Sequence, residues 1–161
     1  MQKNEKHYSK TKATQLLDSK GIKCKFLPHK KAVFTCEDAA KERNVPLDEM
    51  IKCIFLLDKR KTYFLACITA DRRLDTRKIR SMMGCSRLSF ASKEEMKKIT
   101  GYEMGAISPL ALQKDIAIIF DELIIKKEKV NISSGDTRFG LELSPKDLVI
   151  LAKPRIGNIT N

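Results

Sequence analysis

Residues 51–69 read I-K-C-I-F-L-L-D-K-R-K-T-Y-F-L-A-C-I-T, two apolar runs parted by the charged link Asp58-Lys59-Arg60-Lys61. Aliphatic and aromatic residues fill both runs, which predicts strands over 51–57 and 62–69 joined as a hairpin. Upstream, Ala13, Leu16 and Leu17 share one face of a helix expected over 9–20, with Gly21 as its stop. A strand is expected over 23–27. Thr35 followed by Asp38 caps a helix over 36–43, which Val45-Pro46 ends before a short turn at 47–50. Downstream, Asp75 opens a helix to Met83 that stops at Gly84, residues 87–90 form a short strand, and Ser92-x-x-Glu95 opens a helix to Ile99. Strands follow over 115–120, 130–133 and 139–143, and Ser144-Pro145 starts a last helix to Ala152. Helices and strands interleave, yet hairpins join some neighbouring strands. The pattern is α+β on one mixed sheet, not a succession of βαβ units.

Composition sets the limits. The chain has 161 residues, 42% of them hydrophobic, enough for one complete core. No repeat or linker divides it, so a single domain over 9–153 is expected between a basic tail at 1–8 and a C-terminal tail at 154–161. No run approaches the roughly 20 apolar residues of a membrane span, and the first residues lack the apolar stretch of a signal peptide. A cytoplasmic protein without membrane contact is expected. Cys24, Cys36, Cys53, Cys67 and Cys85 are odd in number and scattered among apolar neighbours, which suits small buried hydrophobes better than disulfides, zinc ligands or nucleophiles. The 32 Lys and Arg against 20 Asp and Glu leave +12. A surface of that sign attracts polyanions, and Arg72, Arg73 and Arg77 form part of one basic cluster. Aromatics make up only 6%, so nucleic acid would be met mainly through phosphate and shape.

Residues 100–109, T-G-Y-E-M-G-A-I-S-P, fit neither a helix nor a strand. Gly101 and Gly105 bracket Tyr102, and Pro109 closes the string. This is either an ordered loop whose backbone approaches a ligand or a tight turn. Lys52 alternates with Ile54 and Leu56 on one strand face, opposite Ile51, Cys53, Phe55 and Leu57. A lysine there snorkels into water or meets an anion such as a phosphate or a developing oxyanion. His29 stands in the loop before the Thr35-capped helix, a surface residue or a base; His7 lies in the tail. Ser133-Ser134-Gly135 follows a strand and can present hydroxyls and amides to a ligand or simply turn the chain. No P-loop, nucleophile elbow, dinucleotide fingerprint or H-E-x-x-H is present.

These pieces, in order, resemble the YbaK-like trans-editing deacylases, which share their domain with the editing insertion of bacterial prolyl-tRNA synthetase. The carriers are Pro28-His29 before Thr35-x-x-Asp38-Ala39, Val45-Pro46 leading to Ile51-Lys52, the 100–109 string, and Ser133-Ser134-Gly135 ahead of 141–148. The resemblance covers the chain from the first helix to Ala152. It implies a mixed, partly barrel-like sheet with flanking helices, and hydrolysis of a small amino acid (Cys, Ala or Ser) from a mischarged tRNA such as that for proline. It implies no metal or cofactor, an aminoacyl-tRNA acceptor end as partner, and possible association with an aminoacyl-tRNA synthetase. On it, Lys52 and Gly105 are the catalytic positions. His29, Gly101, Tyr102, Ala106, Ile107, Ser108, Pro109, Ser133, Ser134 and Gly135 bind substrate, and Arg72, Arg73 and Arg77 meet tRNA phosphates. Departures are Ala106 where some members have a second glycine, Ser134-Gly135 where many have paired glycines, and Phe139 where some have glycine. Two other readings compete: a tRNA- or nucleotide-binding module that has lost catalysis, and a small-molecule ester hydrolase.

Overall fold

A computed structural model describes residues 10–161. The tail expected at 1–8, with His7, lies outside the described residues. Helix α1 (Lys12–Ser19) opens on Thr11, whose hydroxyl accepts the Thr14 amide while Thr14 answers to the Thr11 amide. Strand β1 (Lys25–Pro28) leads to α2 (Cys36–Arg43), capped by Thr35 as its spacing predicts, and a 3-10 turn covers Leu47–Glu49. The hairpin follows as β2 (Ile51–Asp58) and β3 (Tyr63–Thr69), then α3 (Thr76–Met83), β4 (Leu88–Phe90) and α4 (Lys93–Thr100). The chain finishes with β5 (Ala117–Asp121), a 3-10 turn at Ile124–Lys126, β6 (Val130–Ser133), β7 (Phe139–Leu143), α5 (Pro145–Ala152) and β8 (Arg155–Gly157).

The α+β class holds, but the strands divide between two sheets instead of forming one partly closed sheet. One is antiparallel, in the order β1-β7-β6; the other is mixed, in the order β4-β2-β3-β5-β8. The cause is visible in β3, where both faces are apolar and both need cover. Leu65 and Cys67 face the first core, which the small sheet closes with Val130, Ile132, Phe139, Leu141 and Leu143. Phe64, Ala66 and Ile68 face a second core, closed by Ile79 of α3 and by Ile159. A third, smaller cluster seats α2 through Ala39 and Ala40 against Val33 and Met50.

The stretch 154–161, expected as a tail, is part of the domain. Strand β8 pairs in parallel with β5, and Ile159 and Thr160 are buried. Buried Asp121 explains why it stays. Its carboxylate accepts the Ile159 amide at 2.9 Å, the Thr160 hydroxyl at 3.2 Å and the Leu123 amide at 3.2 Å. A sequence pattern of apolar alternation does not reveal that a strand three residues long is held by a carboxylate from elsewhere. Replacing Asp121 by Ala leaves buried donors without an acceptor and should cost about 2–4 kcal/mol of stability. Urea unfolding of the Asp121→Ala protein measures it, and a change within about 0.5 kcal/mol would detach the carboxylate from the packing of the C-terminal strand.

Candidate active site

Strand β4 is short, and that decides where a cavity can form. It pairs only with Leu56, Leu57 and Asp58, and β6 meets the start of β2 only through the bridge of Met50 to Asn131, so no strand lies beside the residues between. The Phe55 carbonyl turns to this open edge, where it accepts the Ala91 amide at 3.2 Å. Main-chain groups alternate along a strand, so those of Cys53 and Ile51 turn the same way. A cavity of about 510 Å³ runs along the edge and touches every residue from Met50 to Phe55. Its other walls come from the loop after β1, the first turn of α2, residues 104–107 and the loop between β6 and β7.

Five of the residues singled out from the sequence line this cavity: Lys52, Gly105, His29, Ile107 and Ser133. Lys52 is exposed at the mouth and makes no ion pair among the described residues. Gly105 has φ +85°, and a Cβ there would stand 3.0 Å from the Phe34 carbonyl oxygen and 3.2 Å from its Cα. The close backbone approach expected of this string is therefore to the loop after β1. Both the left-handed φ and the missing side chain are required. His29 donates from Nδ1 to the Thr137 carbonyl at 2.8 Å, and burial lowers its pKa from the ordinary value of 6.5.

The other expected substrate contacts do not line the cavity. Gly101 is the left-handed cap of α4, with φ +82°. Tyr102 is buried and donates its hydroxyl to the Leu110 carbonyl, and burial pushes its phenol up to about 12. The Ala106 amide is committed to the Glu103 carbonyl at 3.0 Å. Ser108 is fully buried and accepts the Leu110 amide at 3.3 Å, while Pro109 borders a second, separate cavity. Ser134 donates to the Phe139 carbonyl at 2.6 Å, and Gly135 lies so close to the Tyr102 ring that a Cβ would meet it at 2.7 Å. Backbone groups of buried loops must find partners inside the protein, so these residues hold the cavity walls from behind. Arg72, Arg73 and Arg77 are exposed where β3 leads into α3, beyond Thr69, the cross-strand partner of Ile51. They stand outside the cavity.

Cys36 and Cys53 are on the cavity wall, but Cys36 is held protonated, its pKa pushed up to about 11 chiefly by burial. Cys53 Sγ lies 3.7 Å from Cys67 Sγ, and burial also raises the Cys67 pKa. A thiolate nucleophile is not favoured at either raised site. Among the described residues no group of His, Cys, Asp and Glu is arranged to hold a metal ion. Three residues of the site escape a reading of the sequence. Phe34 and Phe90, both lining the cavity, are 66% and 74% exposed, where large apolar side chains are usually covered. Phe90 ends an apolar strand pattern and looks like core. Arg43 is the last residue of α2 and looks like an ordinary helix-terminal cation.

Comparison with known proteins gives the family of the domain. The profile of the aminoacyl-tRNA editing domain matches residues 30–151. The chain is 27% identical over 126 residues to the prolyl-tRNA editing protein ProX of Acetoanaerobium sticklandii, covering 75% of this chain and 77% of that one. It is 26% identical over 147 residues to the multifunctional Ser/Thr-tRNA deacylase ProXp-y of Escherichia coli K12, covering 89% and 87%. The proline–tRNA ligase of Paraburkholderia phymatum matches over 65% of this chain but 19% of the ligase, at 27% identity. In fold, a candidate trans-editing enzyme for prolyl tRNA synthetase superposes with a TM-score of 0.84 at 20% identity, covering 96% of this chain and 99% of that one. A cavity along a half-open strand, walled by Lys52 and Gly105, thus sits in a domain whose family profile spans well over half of the sequence: the chain belongs to the aminoacyl-tRNA editing domain family.

Proposed function

We propose that the protein is an aminoacyl-tRNA deacylase that hydrolyses the ester of a mischarged tRNA carrying a small amino acid. The observation that carries this reading is the meeting of Lys52 and Gly105 on one largely apolar cavity with exposed aromatics at its edge. Water adds to the ester carbonyl, the bond to the ribose oxygen breaks, and the free amino acid and the terminal hydroxyl of the tRNA leave. An ester is already activated, so positioning and oxyanion stabilisation account for most of the required rate. The Lys52 ammonium supplies positive charge at the mouth. The amides of Gly105, Ile107 and Cys53 are the candidate donors to the oxyanion. A ribose hydroxyl next to the ester is available to assist the attack.

The acceptor end of the tRNA fits the remaining features. Phe34 and Phe90 offer bare ring faces for the unpaired terminal bases, which stack on aromatics without regard to sequence. Arg72, Arg73 and Arg77, with a net charge of +12, suit the phosphates of the stem. The relative named as a Ser/Thr-tRNA deacylase supports seryl or threonyl esters as substrates, alanyl and cysteinyl esters are of similar size, and the match to a proline–tRNA ligase supports a prolyl-tRNA synthetase as an associate. Among the described residues no helix is long and apolar enough to cross a membrane, which accords with a cytoplasmic enzyme.

The direct test is deacylation of a panel of mischarged tRNAs. Turnover on small aminoacyl esters with leucyl and phenylalanyl esters spared is expected. Binding without turnover on any of them would favour a module that has lost catalysis, and turnover on free esters alone would favour a small-molecule hydrolase. Lys52→Ala should lower deacylation at least about tenfold, or about 1.4 kcal/mol of transition-state stabilisation, in a protein whose thermal unfolding is unchanged. Near-normal turnover in that folded variant would remove Lys52 from the mechanism.

Binding separates the two surfaces. Reversing the charge of Arg72, Arg73 and Arg77 should flatten the dependence of tRNA affinity on salt without changing which amino acid is removed. Phe34→Ala or Phe90→Ala should cost about 1–3 kcal/mol of affinity at every salt concentration and leave the slope alone. A flat salt response in the native protein would make the basic surface a solubility device only.

Gly105→Ala forces a Cβ into the Phe34 backbone at a strained φ, so it displaces the loop after β1 as well as its own. Turnover on all substrates should fall together, with a loss of about 1–3 kcal/mol in stability measured on the same preparation. Unchanged turnover would reduce this string to a turn.

A further inference from the structure

Arg43 is a half-buried cation without a carboxylate partner among the described residues. Burial pulls its guanidinium down to about 10, so it remains charged at neutral pH. Its seat is Gly140, the second residue of β7, where any Cβ would overlap the guanidinium. A glycine inside a strand is otherwise a weak choice, and the packed guanidinium explains it. From this seat Nε donates to His29 Nε2 at 2.9 Å and Nη1 donates to the Ile132 carbonyl at 3.3 Å.

The two partners of His29 leave its ring one protonation state. A carbonyl can only accept and a guanidinium can only donate. The proton is therefore on Nδ1, facing the Thr137 oxygen, and bare Nε2 receives Arg43. A second proton on Nε2 would remove the acceptor and set two cations face to face.

What hangs on this contact is the cavity wall. The Thr137 carbonyl receives the His29 ring and the Val33 amide at 3.1 Å, and the His29 amide donates to the Arg138 carbonyl at 2.7 Å. The loop after β1 and the loop between β6 and β7 are thus stitched together. Arg43 ties that pair to α2, whose opposite end, about 10 Å away, brings Thr35 and Cys36 to the cavity.

We propose that Arg43 is a positioning residue for deacylation: seated over Gly140 and bonded to neutral His29, it holds two loops and the first turn of α2 in the shape that receives the ester. The proposal rests on the deacylase reading for its effect on rate, while the state of His29 can be read without substrate. Protonation of His29 releases the clamp. The charged groups around the ring are Arg43 and Glu42 of α2, the latter holding the Lys30 amide at 3.0 Å, and Asp136 of the facing loop, paired with Arg138 at 2.9 Å. The carboxylates and the Thr137 bond favour a charged ring; burial, the largest influence, and Arg43 oppose it. His29 accordingly titrates below 6.5 in the folded chain. Its neutral form contributes stability above that value, and the contribution is lost as pH falls from there through the folded pKa.

The test has two parts. Imidazole NMR of the full chain, with His7→Gln to assign the second histidine, should find His29 as the Nδ1–H tautomer with a pKa below 6.5. The pH profile of kcat/KM on a mischarged tRNA should have an acid limb at that same pKa, falling about tenfold per pH unit below it. Arg43→Leu should move the His29 titration upward toward 6.5, lower kcat/KM on the alkaline side and flatten the acid limb, since no clamp is left for protonation to release; Gly140→Ala should do the same by filling the seat, and His29→Gln should remove the limb. An Nε2–H tautomer, a native titration at or above 6.5, or an equal loss at every pH in Arg43→Leu would each overturn the proposal. If Arg43→Leu does not fold, the native titration and the Gly140→Ala limb decide. Absence of turnover at any pH in the native protein would instead overturn the deacylase reading, leaving the NMR result to judge the clamp.

Discussion

The half-length partner of β2 is the constraint on which the site depends. Residues Leu56–Asp58 have β4 beside them, the Phe55 carbonyl takes the Ala91 amide and Met50 is bridged to Asn131 of β6, whereas Lys52–Ile54 have no strand beside them. Unpaired strand groups inside a protein either invite another strand or are reserved for a ligand. Here the edge is shielded by a helix turn and three loops that stop short of it, and the space between is the cavity. The mixed sheet supplies rigidity behind the edge, since β3 is buried on both faces and pairs β2 over seven residues. A reactive ester held against such an edge meets donors that do not have to reorganise.

Polar contacts join apolar packing in holding the walls. Ser134, Tyr102, Ser108 and Thr100 spend their side chains on main-chain groups within their own or neighbouring loops. Each is buried, and each satisfies a carbonyl or amide that would otherwise be stranded. This division of labour explains why a string rich in special residues contributes only Gly105 and Ile107 of its expected contacts to the cavity. Binding surfaces made of loops need such support, because loops lack a ladder of their own.

Charge follows the same economy. Exposed cations near the end of β3 have acidic neighbours at 3.6–3.9 Å, contacts too solvated to contribute much stability. Lys52, without such a partner among the described residues, presents its ammonium at the mouth. Arg43 is the converse case, a half-buried cation whose planar donors match a ring nitrogen and a carbonyl.

Much of the architecture was legible in the chain. Caps at Thr35, Asp75, Ser92 and Ser144, the 51–69 hairpin, and the strands at Val130–Ser133 and Phe139–Leu143 stand where spacing put them. These are local signals, carried by residues within a few positions of one another. Lys52 and Gly105 were legible for the same reason, a charge in an apolar strand and a glycine out of place. The division into two sheets, the pairing of β8, the exposure of Phe34 and Phe90, and the seat of Arg43 on Gly140 were not. Each depends on residues far apart in sequence meeting in space, as Arg43 meets position 140. Apolar periodicity states that a face is covered, and only the packed fold decides by what.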